Sequence, residues 1–267
     1  MSNTMEHTVG KKRLGSLIAM DLRRMFTSRY FYILLGIALV IPVLVLVMTT
    51  MMDGSVSVDP NTGVETTVEA FDSVWQAIGA LPGAEAGAAM SLTTMCNINL
   101  VYFIAAVLMD IFVADDFRSG YCKNLFAVRP QKGGYIFSKT IVGFFGGALM
   151  LIAFFIGAMV GGAVSGLPFA LGSLSAGNIV FCMLSKILLM AVFAGIYVLM
   201  GVIGKQRLWL TILLSLGVGM FLFNIIPMVT PLNATIMNVA FCLAGGVLLG
   251  GGLVLISKAV LSKRDIL

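Results

Sequence analysis

YFYILLGIALVIPVLVLVMTTMM, residues 30–52, contains no charged side chain and is long enough as a helix to cross a lipid bilayer. The hydrocarbon core of a membrane is about 30 Å thick and needs about 20 apolar residues. Runs of this kind recur along the chain and predict six spans, at residues 30–52, 90–114, 140–164, 178–203, 208–226 and 236–257. Composition agrees, because 59% of the residues are hydrophobic and only 11% are charged. The sequence therefore predicts an all-α polytopic membrane protein and excludes a soluble domain.

All basic residues except Lys186 lie on one side of the predicted spans. They stand before the first span, between the second and third, between the fourth and fifth, and after the sixth. The outer loop at residues 53–89 contains several acidic residues and no Lys or Arg. Because Lys and Arg are retained in the cytoplasm during insertion, both termini are expected to be cytoplasmic. The chain is expected to be a multi-pass protein of the plasma membrane. The net charge of +5 is interpreted as contact with membrane lipid rather than with nucleic acid.

Residues 1–29 are predicted to form a cytoplasmic tail and an interfacial amphipathic helix, ahead of a six-helix transmembrane domain at residues 30–267. Apolar residues recur at spacings of three and four, with basic residues on the remaining faces. This helix is either a topology anchor or a lever that transmits movement to the first span. The apolar positions are Leu14, Leu17, Ile18, Leu22, Met25 and Phe26.

Glycines spaced by four residues are expected to let helices approach closely in lipid. They occur on the third span at Gly143, Gly147, Gly157 and Gly161, and on the sixth at Gly246 and Gly250. Packing within one bundle is favoured over a subunit interface. The four cysteines have no CxxC spacing, so neither a metal site nor a disulfide framework is predicted.

Two ionisable residues fall within predicted spans. Asp110 lies about one turn from the cytoplasmic end of the second span, and Lys186 about two turns from the outer end of the fourth. Each is either an intramembrane functional site or a side chain that reaches an interface, and the second interpretation is favoured. In the outer loop, apolar residues on one face of residues 68–81 predict a short helix that lies on the outer leaflet or covers the exit of a pathway.

The longest cytoplasmic loop is DDFRSGYCKNLFAVRPQKGGYIFSK, residues 115–139. Its first part is predicted to continue the second span, with Phe117, Tyr121, Leu125 and Phe126 as an apolar stripe beside basic residues. Pro130 and the Gly133–Gly134 pair are expected to break the helix. An amphipathic helix of this kind suits docking in a groove on another protein, and the alternative is a solvated basic turn.

The order of these residues resembles the first cytoplasmic loop of type 2 ATP-binding-cassette (ABC) permeases. The resemblance is carried by Asp116, Gly120, Lys123, Asn124, Lys132 and Lys139, and it extends to the whole predicted topology. It implies that residues 117–129 form a coupling helix that docks on a cassette ATPase. The ATPase-coupling residues would be Asp116, Phe117, Arg118, Gly120, Tyr121, Lys123, Asn124, Arg129 and Lys132.

The same resemblance implies the partners and the cargo. The chain has no GxxxxGK[ST] phosphate loop, so ATP and Mg would be bound by a separate cassette ATPase and no cofactor by this chain. Six spans correspond to half of a transport pathway, which implies a second copy of the chain or a related permease. The expected cargo is hydrophobic or amphipathic, such as a peptide or a drug, exported from the cell.

Other function classes have less support from the residues. An intramembrane enzyme is not expected, because the sole histidine, His7, lies in the polar N-terminal tail and leaves no base for a Ser–His or His-dependent site. An ion-coupled transporter that works without ATP remains an alternative, and Asp110 and Lys186 would then be the relevant groups. A membrane scaffold or sensor whose outer loop binds the ligand is the other alternative.

Overall fold

The computed structural model describes residues 2–58, 65–67, 71–79, 97–128 and 132–263. Within these ranges the α-helices are α1 (Ser2–Thr27), α2 (Arg29–Met51), α3 (Leu100–Arg118), α4 (Tyr121–Val128), α5 (Lys132–Ser165), α6 (Ala176–Gly204), α7 (Leu208–Phe223), α8 (Ile225–Val229) and α9 (Ile236–Lys263). Two strands, β1 (Val56–Val58) and β2 (Glu65–Thr67), pair antiparallel, and a short 3₁₀ helix covers Val74–Ala77.

Four of the described helices are long and apolar enough to cross a membrane, namely α2, α5, α6 and α9. The protein is thus a helical membrane protein. The other two helices that correspond to predicted spans, α3 and α7, differ from these four in polarity or in length. α7 has 16 residues, or about 24 Å, less than the thickness of the hydrocarbon core. α3 is long enough, but Asp110, Asp115 and Asp116 make it more polar than a simple span.

Some helix boundaries agree with the predicted ones and others differ. α2 follows its prediction to within one residue at each end. α5 was expected to begin at residue 140 and instead begins at Lys132, with Gly133 and Gly134 in its first turn. The glycine pair does not interrupt α5, and the preceding helix, α4, ends at Val128, before residues 129–131, which lie outside the described residues. α3 begins at Leu100, and residues 90–96 of the predicted second span lie outside the described residues.

Glycine contacts hold the long helices together. α2 packs along α5, and α6 packs along α9. A Cβ atom at Gly157 would fall on the backbone carbonyl of Leu39, and one at Gly161 would lie 2.8 Å from the Cα of Val43. At Gly250, a Cβ would lie 3.3 Å from the carbonyl oxygen of Ala191. The predicted role of the four-residue glycine spacing in packing within one bundle is confirmed at these positions.

α3 lies at the centre of the bundle, in contact with α2, α5, α6 and α7. Most of its side chains are buried, whereas only 11% of the apolar window of α9 is buried within the protein. The exposed face of α9 is apolar, as expected of a helix surrounded by lipid. Its exposed large side chains include Phe241, Val247, Leu248, Leu249 and Leu255.

The predicted helix at residues 68–81 is reduced, in the described part of this segment, to the 3₁₀ helix Val74–Ala77. Val74 and Ile78 are fully buried, and Val74 touches Gly162 of α5. The Trp75 Nε1–H donates to the carbonyl of Phe169 at 3.1 Å. The apolar side chains therefore pack on the helix bundle and do not lie flat on a leaflet.

Candidate functional site

A cluster of four charged side chains joins α1, α3 and α5 beside the short helix α4. The Lys139 Nζ lies 2.9 Å from Asp21 Oδ1 and 2.7 Å from Asp116 Oδ2. Arg24 reaches the other oxygen of Asp116, with Nη2 at 2.8 Å from Oδ1. Asp21, Asp116 and Lys139 are completely buried, and Arg24 is about one-third exposed. Two cations and two anions balance, as buried charges must if their desolvation is to be offset.

Neutral side chains complete this charge cluster. The Ser138 hydroxyl donates to Asp21 Oδ2 at 2.6 Å, and the Tyr135 hydroxyl donates to Asp116 Oδ2 at 3.0 Å. The rings of Phe112 and Tyr121 lie under the two cations, with the Lys139 Nζ 3.9 Å from the Phe112 centroid and the Arg24 Cζ 4.3 Å from that of Tyr121. Such cation–π contacts strengthen as the cation is withdrawn from water.

Burial and the charges of the cluster shift the pKa values of Arg24, Tyr121 and Cys122, which lie outside the membrane spans. Burial opposes the charge on Arg24, but the carboxylates of Asp116 and Asp21 outweigh it and raise the pKa of the guanidinium. Burial, with these carboxylates adding to it, raises the pKa of Tyr121 to about 12. Burial also raises the pKa of the Cys122 thiol to about 12, so that thiol is protonated and unreactive at neutral pH.

α4 is a separate helix that presents one face to the bundle and one to solvent. Gly120 has φ +74°, a left-handed conformation that suits glycine, and it turns the chain between α3 and α4. On the inner face, Cys122 is buried and the Phe126 ring meets that of Tyr135 edge-on, with centroids 5.5 Å apart. Lys123 and Asn124 are exposed, and Val128 is 82% exposed.

The structure divides the predicted coupling residues into two groups. Arg118, Lys123 and Asn124 are exposed and could contact a partner. Asp116 and Phe117 are buried, because α3 continues to Arg118 and its last turn still faces the bundle, so a coupling role for them would act through the bundle and not through an exposed surface.

The other predicted coupling residues have mixed positions. Tyr121 is half-buried over Arg24, and Gly120 forms the turn described above. The Lys132 Nζ donates to the carbonyl of Leu261 at 2.9 Å, which ties the start of α5 to the end of α9. Arg129 lies outside the described residues.

Three members of the charge cluster were not predicted as site residues, namely Asp21, Arg24 and Lys139, although Lys139 was part of the sequence resemblance. A usable signal for Asp21 was present in the sequence. It follows Leu17 and precedes Met25 at four-residue spacing, so it lies on the apolar face of α1, and all three side chains are buried. An acid on the buried face of an amphipathic helix requires a cationic partner.

Lys186 is fully buried inside α6, which begins ten residues earlier at Ala176. Its amine donates to Asn99 Oδ1 and to Thr230 Oγ1, both at 2.9 Å, and so links the start of α3 to the turn after α8. The expectation that Lys186 reaches the outer surface is therefore wrong. The lysine is held by neutral oxygens from two other segments instead.

The Lys186–Thr230 pair does not have the arrangement of a nucleophile and its base. The Thr230 hydroxyl donates to the carbonyl of Ile226 at 2.8 Å while it accepts from the amine. A general base would need to accept the hydroxyl proton.

Within the described ranges, moreover, no group of three or more His, Cys, Asp or Glu side chains is arranged to hold a metal ion.

Asp110 is also fully buried, near the middle of α3. The Ser215 hydroxyl of α7 donates to its Oδ1 at 2.9 Å. The expectation that Asp110 reaches the headgroup layer is wrong, because α3 extends beyond residue 114 to Arg118 and places Asp110 deeper in the bundle.

An apolar groove of about 320 Å³ opens between α5, α6 and α9. Its lining is almost wholly hydrocarbon and includes Phe144, Phe145, Leu188, Leu243 and Val247.

Comparison of the chain with protein-family models, with curated proteins and with solved structures finds no match. Geometry and residue chemistry therefore carry the functional argument.

Proposed function

We propose that this chain is the membrane-spanning permease subunit of an ABC exporter, with ATP hydrolysed on a separate cassette ATPase. Under this proposal the chain lies in the plasma membrane and crosses it six times. α3 and α7 cross together with the four long apolar helices, because contact with those helices shields their polar side chains. Both termini are cytoplasmic, on the side where the basic residues collect.

The observation that carries the proposal is the linkage between α4 and the charge cluster. α4 exposes Lys123 and Asn124, and Arg118 is exposed at the end of α3 just before it. Immediately behind this surface, Tyr121 covers Arg24, which pairs with Asp116. A force applied to α4 would thus reach α1, α3 and α5 together, which is the mechanical requirement for rocking a helix bundle between inward and outward access.

The same arrangement gives the amphipathic helix α1 a role. Asp21 and Arg24 of α1 both contact the cluster, and Arg24 also lies 3.7 Å from Asp21. α1 is connected to α2 through a single non-helical residue, Ser28. We infer that α1 is the lever that passes movement of the coupling surface to the first span.

The proposed cargo is supported by an apolar groove of the bundle, and the proposed assembly by the resemblance of the sequence to ABC permeases. The groove between α5, α6 and α9 is apolar and suits a hydrophobic or amphipathic substrate such as a peptide or a drug. One chain supplies half of the pathway, so two permeases, identical or related, would stand over two ATPase subunits. ATP and Mg would bind only to the ATPases.

Substitution of the exposed coupling residues tests this proposal. Arg118→Ala, Lys123→Ala and Asn124→Ala together should leave the chain inserted and folded but reduce association with its ATPase at least tenfold, because the charged anchors of the contact are lost. Association would be measured by co-purification from the native membrane. Lys258→Ala with Lys263→Ala is the matched control, since these exposed lysines lie on α9 and should be neutral.

Undiminished co-purification of the triple variant would contradict the assignment of α4 as the coupling helix.

A second candidate function, an ion-coupled transporter, is favoured by the two buried ionisable side chains Asp110 and Lys186. It predicts transport that continues without any ATPase and stops when the ion gradient is dissipated. A membrane scaffold or sensor would show no transport under either condition.

A further inference from the structure

Asp110 lies inside the helix bundle, and half of its carboxyl group has no partner in the part of the chain that the structure describes. Its side chain is fully buried, and Oδ2 has no hydrogen-bond partner among the described residues. Its other oxygen accepts from the neutral Ser215 hydroxyl. An ionised carboxylate in such a place has a large desolvation cost, and a neutral carboxyl group avoids it.

The cations of the bundle are engaged elsewhere. On α5, Lys139 is held by Asp21 and Asp116, and on α6, Lys186 is held by Asn99 and Thr230. α2 carries a single charged residue, Arg29, which is exposed. On α4, the Cys122 thiol is buried and the half-buried Tyr121 lies over Arg24. The salt bridges found within the described ranges do not include Asp110.

Within the described residues, the hydroxyl groups that interact with Asp110 are neutral. α6 contributes Tyr197, whose own hydroxyl donates to the carbonyl of Tyr102 at 2.9 Å. α7 contributes Ser215, and the Thr211 hydroxyl one turn along the same helix donates to the carbonyl of Arg207 and not to Asp110. None of these can replace a counter-cation, but a proton on the carboxyl group would remove the need for one.

We propose that Asp110 is a proton-binding site, which holds a proton while α3 and α7 are packed together and releases it when the two helices separate. Water that enters between them would stabilise the carboxylate and draw the proton off. Opening of the bundle at this contact is therefore linked to release of one proton, and it becomes easier as the pH rises. The inference depends on the fold and not on the proposed ATPase partner.

Infrared spectroscopy of the purified chain in lipid vesicles at neutral pH tests whether the proton is present. Wild-type protein should show the C=O stretch of a protonated carboxyl group that D110N lacks. In S215A the band should shift, because the hydrogen bond to Oδ1 is lost. A wild-type spectrum without a protonated-carboxyl band, or a band retained unchanged in D110N, would overturn the proposal. If D110N does not fold, the shift of the carboxyl band between wild type and S215A decides the test.

Linkage to opening is tested with a single cysteine at Ala106, a buried residue of α3 one turn from Asp110. The four native cysteines would be replaced by alanine, and the thiol reaction rate would be divided by that of V128C, an exposed reference. The ratio should rise with pH by up to about tenfold per pH unit, the limit for release of one proton. With D110N it should be flat. A ratio that rises equally in both backgrounds would refute the linkage, whether or not an ATPase partner exists.

Discussion

Lys139→Met is expected to lower the free energy of unfolding by about 3–5 kcal/mol, the usual cost of removing one partner from a buried ion pair. Asp21 and Asp116 would then face each other with Arg24 as the one remaining cation of the cluster. Methionine keeps most of the volume of lysine, so the effect reports the lost charge rather than a cavity. Reversible unfolding in a detergent titration measures it.

Two comparisons make this result specific. Lys258→Met, at an exposed position of α9, should change the free energy of unfolding by less than about 0.5 kcal/mol. Adding Asp116→Asn to Lys139→Met should restore part of the loss, because one uncompensated carboxylate is removed. Wild-type stability of the single variant would mean that the four charges are not a structural unit.

Gly157→Leu is expected to have the second large effect, by separating α5 from α2. A Cβ at this position would already meet the Leu39 carbonyl, and it would lie 2.8 Å from Pro42 Cγ. The backbone cannot give way as a flexible side chain can, so the helices must move apart, at a cost of about 3 kcal/mol or more. Pro42 removes a backbone hydrogen bond within α2, so the close contact with α5 also protects a weak part of that helix.

The same detergent titration measures the effect of Gly157→Leu. Gly36→Leu is the matched control, because Gly36 lies on α2 with open space around its Cα and should accept the side chain with little change. Equal loss of stability in the two variants would contradict the proposed helix contact. It would point instead to a general effect of leucine in these helices.

Long apolar runs in the sequence predicted the long helices well, because such a run in lipid has few alternatives to a helix. α2 is the clearest case, with boundaries within one residue of prediction. These runs could not predict that Asp110 and Lys186 are buried. Whether an ionisable side chain turns inward or reaches an interface depends on which oxygens other segments bring to it, and Asn99 and Thr230 are distant from Lys186 in sequence.

The coupling segment shows the same limit. Sequence placed Asp116, Phe117, Lys123 and Asn124 together on one docking surface. The left-handed turn at Gly120 separates them, with the first two facing the bundle and the last two facing solvent. The sequence analysis did not predict a break at Gly120, because the φ angle of this residue and the direction of the next helix depend on tertiary packing. The interior position of Asp21, by contrast, was readable from its spacing to Leu17 and Met25.

The native mass of the complex, extracted gently from its own membrane with each subunit identified, decides whether the chain is a subunit of an ABC exporter. Two permease chains, identical or related, are expected together with two cassette ATPase subunits. A lone chain, recovered under conditions that preserve known membrane complexes, would contradict the assignment as an ABC exporter subunit and favour the ion-coupled transporter or the scaffold.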